Sequence, residues 1–97
     1  MNAIIRQSIL EKKVVEFTYQ GFIRIAEPHA YGSAELVDQL LVYQVRGGSH
    51  SENLPKWLTV ALPGMTNFQV FDETFAGKRA DSALYHISRE AMYAIVR

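Results

Sequence analysis

The sequence predicts a mainly β fold of the α+β class: a small barrel or sandwich of five short strands, with one short helix near each end of the chain. Several segments alternate apolar and polar residues with a period of two, as strands with one buried face do. Turn-forming glycine, proline and asparagine separate these segments at spacings of roughly ten residues. The two terminal segments instead place apolar residues at helical spacing.

Length and composition limit the range of architectures and functions. The 97 residues suffice for a single domain, spanning 1–97, with one modest core. Hydrophobic residues make up 48% and charged residues 21%, which is ordinary for a folded soluble protein. Ten basic residues balance ten acidic ones, and this neutrality argues against a strong non-specific affinity for nucleic acid.

The chain contains no cysteine, which excludes disulfides, thiolate metal sites and cysteine nucleophiles. The N-terminal segment lacks the long apolar region of a signal peptide because Arg6, Gln7 and Glu11 interrupt it. No apolar run approaches the roughly 18 residues that a membrane-spanning helix needs. We therefore expect a cytoplasmic protein with no membrane contact.

The first half of the chain predicts a helix followed by a hairpin. The helix runs from Asn2, a good cap, to Glu11 and has a largely apolar side. The strands of the hairpin, Val14 to Tyr19 and Phe22 to Ala26, flank the turn signal Gln20-Gly21. Pro28, which has no N–H to donate, is expected to end the second strand.

The middle of the chain predicts three more strands. The stretch from Tyr31 to Gln39 favours a loop, with one helical turn as the alternative, and a third strand follows from Leu40 to Arg46. After a polar loop, a fourth strand is predicted from Lys56 to Leu62. Pro63-Gly64 indicates a turn, and Asn67 to Asp72 forms the fifth strand.

The C-terminal segment predicts a helix. Ser88 is a suitable cap for a helix that runs to about Val96, with Met92, Ile95 and Val96 on its apolar side. A longer helix starting at Asp81 also fits the spacing.

Arg24 is the most informative polar residue because it lies inside a predicted strand. A guanidinium there can hold a phosphate or carboxylate with two parallel hydrogen bonds. The alternative is an outward-facing arginine paired with Glu16 or Glu27. His29 can contact a ligand or titrate near neutral pH, or it can simply bond a backbone carbonyl.

Aromatic residues offer a second kind of contact. Tyr19, Tyr31, Tyr43 and Trp57 could stack on nucleobases, as aromatics of small barrels do in single-strand binders. Core filling explains them equally well, and we assign Tyr43 to packing. Tyr19 and Trp57 remain open between the two roles.

Catalysis and metal binding have little support in the sequence. The three histidines show no metal-ligand spacing, and no serine lies in a nucleophile-elbow motif. No acidic pair has a spacing that implies a general acid and base. We expect no enzymatic activity, no metal and no cofactor.

The order of these features resembles the WYL domain, a small Sm-like or SH3-like β-barrel of bacterial regulators. A short helix precedes a strand ending in Tyr19, and a strand carrying Arg24 runs into Pro28-His29. An apolar strand and a strand containing Trp57 follow, then a turn, a strand and Phe75. The stretch from Tyr85 to Val96 resembles the tail of short standalone WYL-like proteins.

The resemblance implies a ligand-sensing module in transcription regulation, with a pocket of tyrosine, arginine and histidine for nucleotides or nucleic acid. Tyr19, Arg24 and His29 stand at matching places. The family's tryptophan-tyrosine-leucine tripeptide is replaced by Gln39-Leu40-Leu41.

The fourth strand departs furthest from the family. Its basic ligand contacts are replaced by apolar or turn residues, including Leu58, Ala61 and Gly64. An anion held by several charge-assisted bonds would lose about 1.5–3 kcal/mol for each bond removed.

The sequence therefore predicts a non-enzymatic regulatory binding module for a small anionic or nucleotide-like ligand. The predicted ligand-binding residues are Tyr19, Arg24, His29, Tyr31 and Trp57. One alternative is a barrel that binds single-stranded nucleic acid through Arg24, Lys56 and exposed aromatics. The other is a protein-interaction module, such as a homodimer formed through open sheet edges, that has lost ligand binding.

Overall fold

The computed structural model describes residues 2–50, 53–81 and 91–97 and confirms a mainly β fold with an N-terminal helix. The elements, in chain order, are α1 (Asn2–Leu10), β1 (Lys13–Tyr19), β2 (Phe22–Ala34), β3 (Val37–Gly47), β4 (Lys56–Ala61), one turn of 3₁₀ helix (Leu62–Gly64), β5 (Met65–Thr74) and β6 (Ala91–Ile95). The described residues thus contain six strands, one more than predicted.

The six strands form one antiparallel sheet. Its main path has the order β4-β3-β2-β1-β5, and β6 pairs with β2 beyond the end of β1. Within the described part of the chain β4 and β5 do not pair, so the sheet does not close into the predicted barrel.

Two hairpin turns have the backbone geometry that suits twisted strands. The predicted turn at Gln20-Gly21 is confirmed, with φ angles of 52° and 81°. Glu35 and Leu36 form a second such turn, with φ angles of 53° and 68°. Positive φ at both central residues defines the mirror-image turn favoured in two-residue hairpins. The loop predicted from Tyr31 to Gln39 is therefore wrong, because β2 and β3 continue up to this turn.

Pro28 does not end β2, contrary to the prediction. β1 pairs with β2 as far as Ala26, and β6 pairs with it from Ala30 onward. Pro28 lies between these two partners, at a point where no described strand pairs with that edge of β2, and such positions tolerate a missing N–H. His29 is an extra residue beside it, bulged out of the β2–β3 ladder.

The predicted C-terminal helix is wrong over residues 91–95, which form β6. Tyr31 is paired with Ala94, and the Val96 N–H donates to the His29 carbonyl at 2.7 Å. The predicted start at Ser88 and residues 82–90 of the longer alternative from Asp81 lie outside the described residues. The local pattern misled because Ala91–Ile95 is apolar throughout and fits either period.

The core lies between α1 and one face of the sheet. Ile5 and Ile9 of α1 are fully buried, as the helical spacing predicted, whereas Ile4 is 53% exposed. They pack with buried residues of the strands, which are Val15, Phe17, Ala26, Tyr31, Leu40, Val42, Val60, Met65 and Ala94, and with Val96. No helix among the described residues is both long and apolar enough to cross a membrane.

Candidate functional site

The structure does not gather the five predicted ligand-binding residues in one place. Arg24 lies against Tyr19, and His29 lies against Trp57. Tyr31 is in the core, 1% exposed. Each of these three places has a different character.

Arg24 is a buried structural cation. Arg24 is 1% exposed, whereas the neighbouring Ile23 is 58% exposed. The charged residue therefore faces the interior here, and the apolar residue faces solvent. The Arg24 Nε donates to the Tyr19 carbonyl at 3.1 Å, and Nη1 donates to Gln44 Oε1 at 3.2 Å. Burial lowers the pKa of Arg24, and the nearby Tyr19 partly opposes this.

The interpretation of Arg24 as an outward-facing partner of Glu16 or Glu27 is wrong. No carboxylate of the described residues lies within ion-pair distance of Arg24. Gln44, which accepts from Arg24, donates to the carbonyls of Arg46 and Gly48 at 3.0 and 2.8 Å. Arg24 therefore ties the β1–β2 turn to the loop that follows β3.

Tyr31 is also internal. Its hydroxyl donates to Asp38 Oδ2 at 3.5 Å, and its ring lies 4.9 Å from the ring of Tyr93. Burial, followed by the negative charge of Asp38, raises the pKa of Tyr31. A ligand cannot reach this side chain without displacing the core.

The third place is a line of side chains on the sheet face opposite to the main core. Glu27, Tyr43 and Trp57 stand directly opposite one another on β2, β3 and β4. His29, two residues after Glu27 on β2, lies on the same face, with its ring 4.8 Å from Trp57. We call Glu27, His29, Tyr43 and Trp57 the aromatic row.

Burial differs along the aromatic row. His29 is fully buried, and its Nδ1 lies 2.9 Å from the Glu27 carbonyl. Tyr43 and Trp57 are only half-buried, with their ring centres 4.9 Å apart. The aromatic row therefore presents two partly accessible ring systems above a buried histidine.

Residues 75–81, which follow β5, lie over the aromatic row and bring a cation, Arg79, to it. Arg79 forms a two-point ion pair with Glu27, with Nε–Oε1 and Nη2–Oε2 distances of 2.8 and 3.0 Å. Its Cζ lies 4.0 Å from the Tyr43 ring centre, and the hydrogen bond to Glu27 raises the pKa of Arg79.

Phe75 stacks on His29 at 5.5 Å. The Trp57 indole donates to Asp81 at 3.0 Å.

This arrangement suits a planar ligand that carries an acceptor group. The Arg79 side chain is 40% exposed. Within the described ranges no residue accepts a hydrogen bond from its Nη1. A cation beside two aromatic faces can engage a flat ring by stacking and an anion by a charge-assisted hydrogen bond. No three metal-ligating residues in the described part of the chain are grouped as a metal site.

Sequence reasoning missed half of this surface. The sequence pattern favours packing for Tyr43, although its place opposite Trp57 follows once the two strands are paired in the correct register. Arg79 has no detectable signal, because it lies in an irregular segment 52 positions from its partner Glu27.

Comparisons of this chain with known protein families, with curated proteins and with solved structures found no match.

Proposed function

We propose that this chain is a non-enzymatic regulatory binding module, similar to a WYL domain, that binds a small nucleotide-like ligand at the aromatic row. The observation that carries this proposal is the Arg79 side chain, which is 40% exposed and whose Cζ lies 4.0 Å from the Tyr43 ring centre; the Tyr43 ring in turn lies 4.9 Å from that of Trp57. The base of the ligand packs against Trp57 and the guanidinium. This position differs from the pocket that the sequence suggested around Arg24.

Charge balance explains why the ligand needs a ring as well as an anion. Glu27 is 7% exposed and already neutralises Arg79 through two hydrogen bonds. A bare anion would meet a balanced ion pair and gain little. A nucleotide adds the stacking of its base, about 1–3 kcal/mol for a base on an aromatic platform, to one hydrogen bond from Nη1.

The test uses Trp57, the only tryptophan of the chain, as a built-in probe. We expect adenosine monophosphate to change its fluorescence with saturation. Adenosine, which lacks the anion, and ribose 5-phosphate, which lacks the base, should both bind more weakly. No change with adenosine monophosphate up to millimolar concentration would refute the proposal.

Two arginine variants distinguish a specific effect at the aromatic row from a general effect of replacing an ion-paired arginine with lysine. Arg79→Lys keeps the charge but loses the flat two-point geometry, and it should weaken binding about tenfold. Arg46→Lys is the matched control, because Arg46 forms a similar two-point ion pair with Glu73 outside the aromatic row. Equal effects of the two substitutions would count against the site.

Nucleic-acid binding is the second outcome of the same titration. The residues first considered for it are engaged elsewhere, since Arg24 is buried and Lys56 donates to the Ser49 hydroxyl. A short single-stranded oligonucleotide that binds more tightly than the mononucleotide, with affinity falling steeply as salt rises, would favour this alternative.

A further inference from the structure

A cleft of about 310 Å³ lies where the end of α1 approaches the end of β6. Among the described residues its lining side chains are Leu10, Lys12, Ile95 and Arg97, and we call it the basic cleft. Two of these side chains are cationic, two are aliphatic and none is acidic. Its volume is at the lower end of the roughly 300–1,000 Å³ typical of small-molecule sites.

The backbone around the basic cleft is held by hydrogen bonds from residues 75–78. The Phe75 N–H donates to the Lys12 carbonyl at 3.0 Å, and the Lys78 N–H donates to the Arg97 carbonyl at 3.1 Å. Gly77 is buried with a φ of 117°, and a Cβ there would collide with the Arg97 carbonyl. Only glycine lets the chain approach this closely, so residues 75–78 pack against the backbone that carries Lys12 and Arg97.

The two cations of the basic cleft have no acidic partner in the described part of the chain. No carboxylate of the described residues lies within ion-pair distance of Lys12 or Arg97. The aliphatic side chains beside them remain in contact with water, Leu10 at 56% and Ile95 at 40% exposure. Two cationic side chains next to exposed apolar surface are complementary to a ligand that has a negative head and an apolar tail.

We propose that the basic cleft binds a small amphipathic anion, a carboxylate with a short alkyl chain. The carboxylate interacts with Lys12 and Arg97, and the alkyl chain covers Leu10 and Ile95. This site is separate from the proposed nucleotide surface, since no residue of the aromatic row lines the cleft. The inference therefore does not depend on nucleotide binding.

The experiment is a calorimetric titration of the full chain with octanoate. Acetate has the head without the tail, and octan-1-ol has the tail without the charge. We expect octanoate to bind and both controls to bind at least about fivefold more weakly. Octanoate binding that octan-1-ol matches would overturn the role of the cations, and the absence of octanoate binding would overturn the proposal.

Variants locate the binding in the basic cleft. Lys12→Met keeps the aliphatic stem and removes the charge, and Arg97→Gln does the same at the other cation. Each should weaken octanoate binding about fivefold, and the double variant about twentyfold. Lys13→Met is the matched control at the neighbouring lysine, which lies outside the cleft and donates to the Asp72 carbonyl. Equal effects at positions 12 and 13 would contradict the site.

A second readout keeps the test valid if a variant folds poorly. Octanoate affinity of the unmodified chain should fall as sodium chloride is raised, because partly exposed charges are screened over about 10 Å at 0.1 M salt. Affinity that rises or stays constant with salt would indicate binding to apolar surface alone and would overturn the proposal.

Discussion

Replacing Arg24 with leucine tests whether this residue holds the fold or a ligand. The guanidinium is 1% exposed and donates to the Tyr19 carbonyl and to Gln44. It also lies 5.6 Å from the ring centres of Tyr19 and Phe22. All of these contacts are internal, so the substitution should lower stability and leave binding at the aromatic row intact.

The expected loss of stability follows from the two acceptors that Arg24→Leu leaves without their hydrogen-bond donor. Two acceptors lose their donor, and each buried unsatisfied acceptor costs about 1–3 kcal/mol. Leucine is also shorter and leaves space beside Gln44. Removing a buried charge that has no carboxylate partner recovers part of this loss. We expect the free energy of unfolding to fall by about 2–4 kcal/mol.

Urea denaturation followed by circular dichroism measures this change. A double-mutant cycle with Gln44→Leu isolates the contact between the two side chains, and residues in one hydrogen-bond network typically couple by about 0.5–3 kcal/mol. Arg46→Leu, at an exposed ion pair, is the control and should change stability by less than about 1 kcal/mol. A destabilisation below about 0.5 kcal/mol by Arg24→Leu, or zero coupling to Gln44, would refute the structural role.

Three further predictions concern the backbone and the pH response. Burial raises the pKa of Tyr31, so the folded chain keeps this proton where the unfolded chain loses it. Stability should therefore fall as pH rises above about 10, and Tyr31→Phe should reduce that fall in thermal unfolding. Leu36 has a φ of 68° and is 97% exposed, so Glu35→Asn with Leu36→Gly should raise the free energy of unfolding by about 1 kcal/mol. Gly47 has a φ of 96°, and a Cβ there would collide with the Ile23 carbonyl. Gly47→Ala should therefore lower the free energy of unfolding by about 1–3 kcal/mol. Urea denaturation measures both of these changes, and an opposite sign in either would contradict the assigned backbone geometry.

Local sequence patterns correctly predicted the elements that are determined by neighbouring residues. The helix α1 was predicted to within one residue at its C-terminal end, and the first hairpin turn was placed correctly. Alternation and turn chemistry operate over a few neighbouring residues, and both are visible in a single sequence. The β3–β4 register follows from the same alternation once the strands are paired.

Elements decided by distant contacts were missed. β6 forms because the edge of β2 beyond Ala26 is available for pairing. The sequence of Ala91–Ile95 alone does not indicate that this distant partner exists. The turn at Glu35 and Leu36 was missed because leucine rarely adopts positive φ. A strand pattern also does not show that Arg24 points inward while Ile23 points outward.

The candidate site was only partly predictable for the same reason. The predicted residues His29 and Trp57 do meet, whereas Arg24 and Tyr31 are buried and Tyr19 is partly buried against the core. Arg79 reaches Glu27 through the folding of an irregular segment over the sheet. Its contribution becomes visible only when residues 75–81 are placed on the aromatic row.

The most direct test of the proposed function follows the indole N–H resonance of Trp57 by NMR, together with the backbone amides. This single N–H donates to Asp81 beside the aromatic row. Adenosine monophosphate should shift it and the amides of Tyr43 and Arg79 along one binding curve, and leave the amides around Tyr31 unchanged. Shifts centred on Tyr31 or on Arg24, or no shift of the indole resonance at saturating ligand, would contradict ligand binding at the aromatic row.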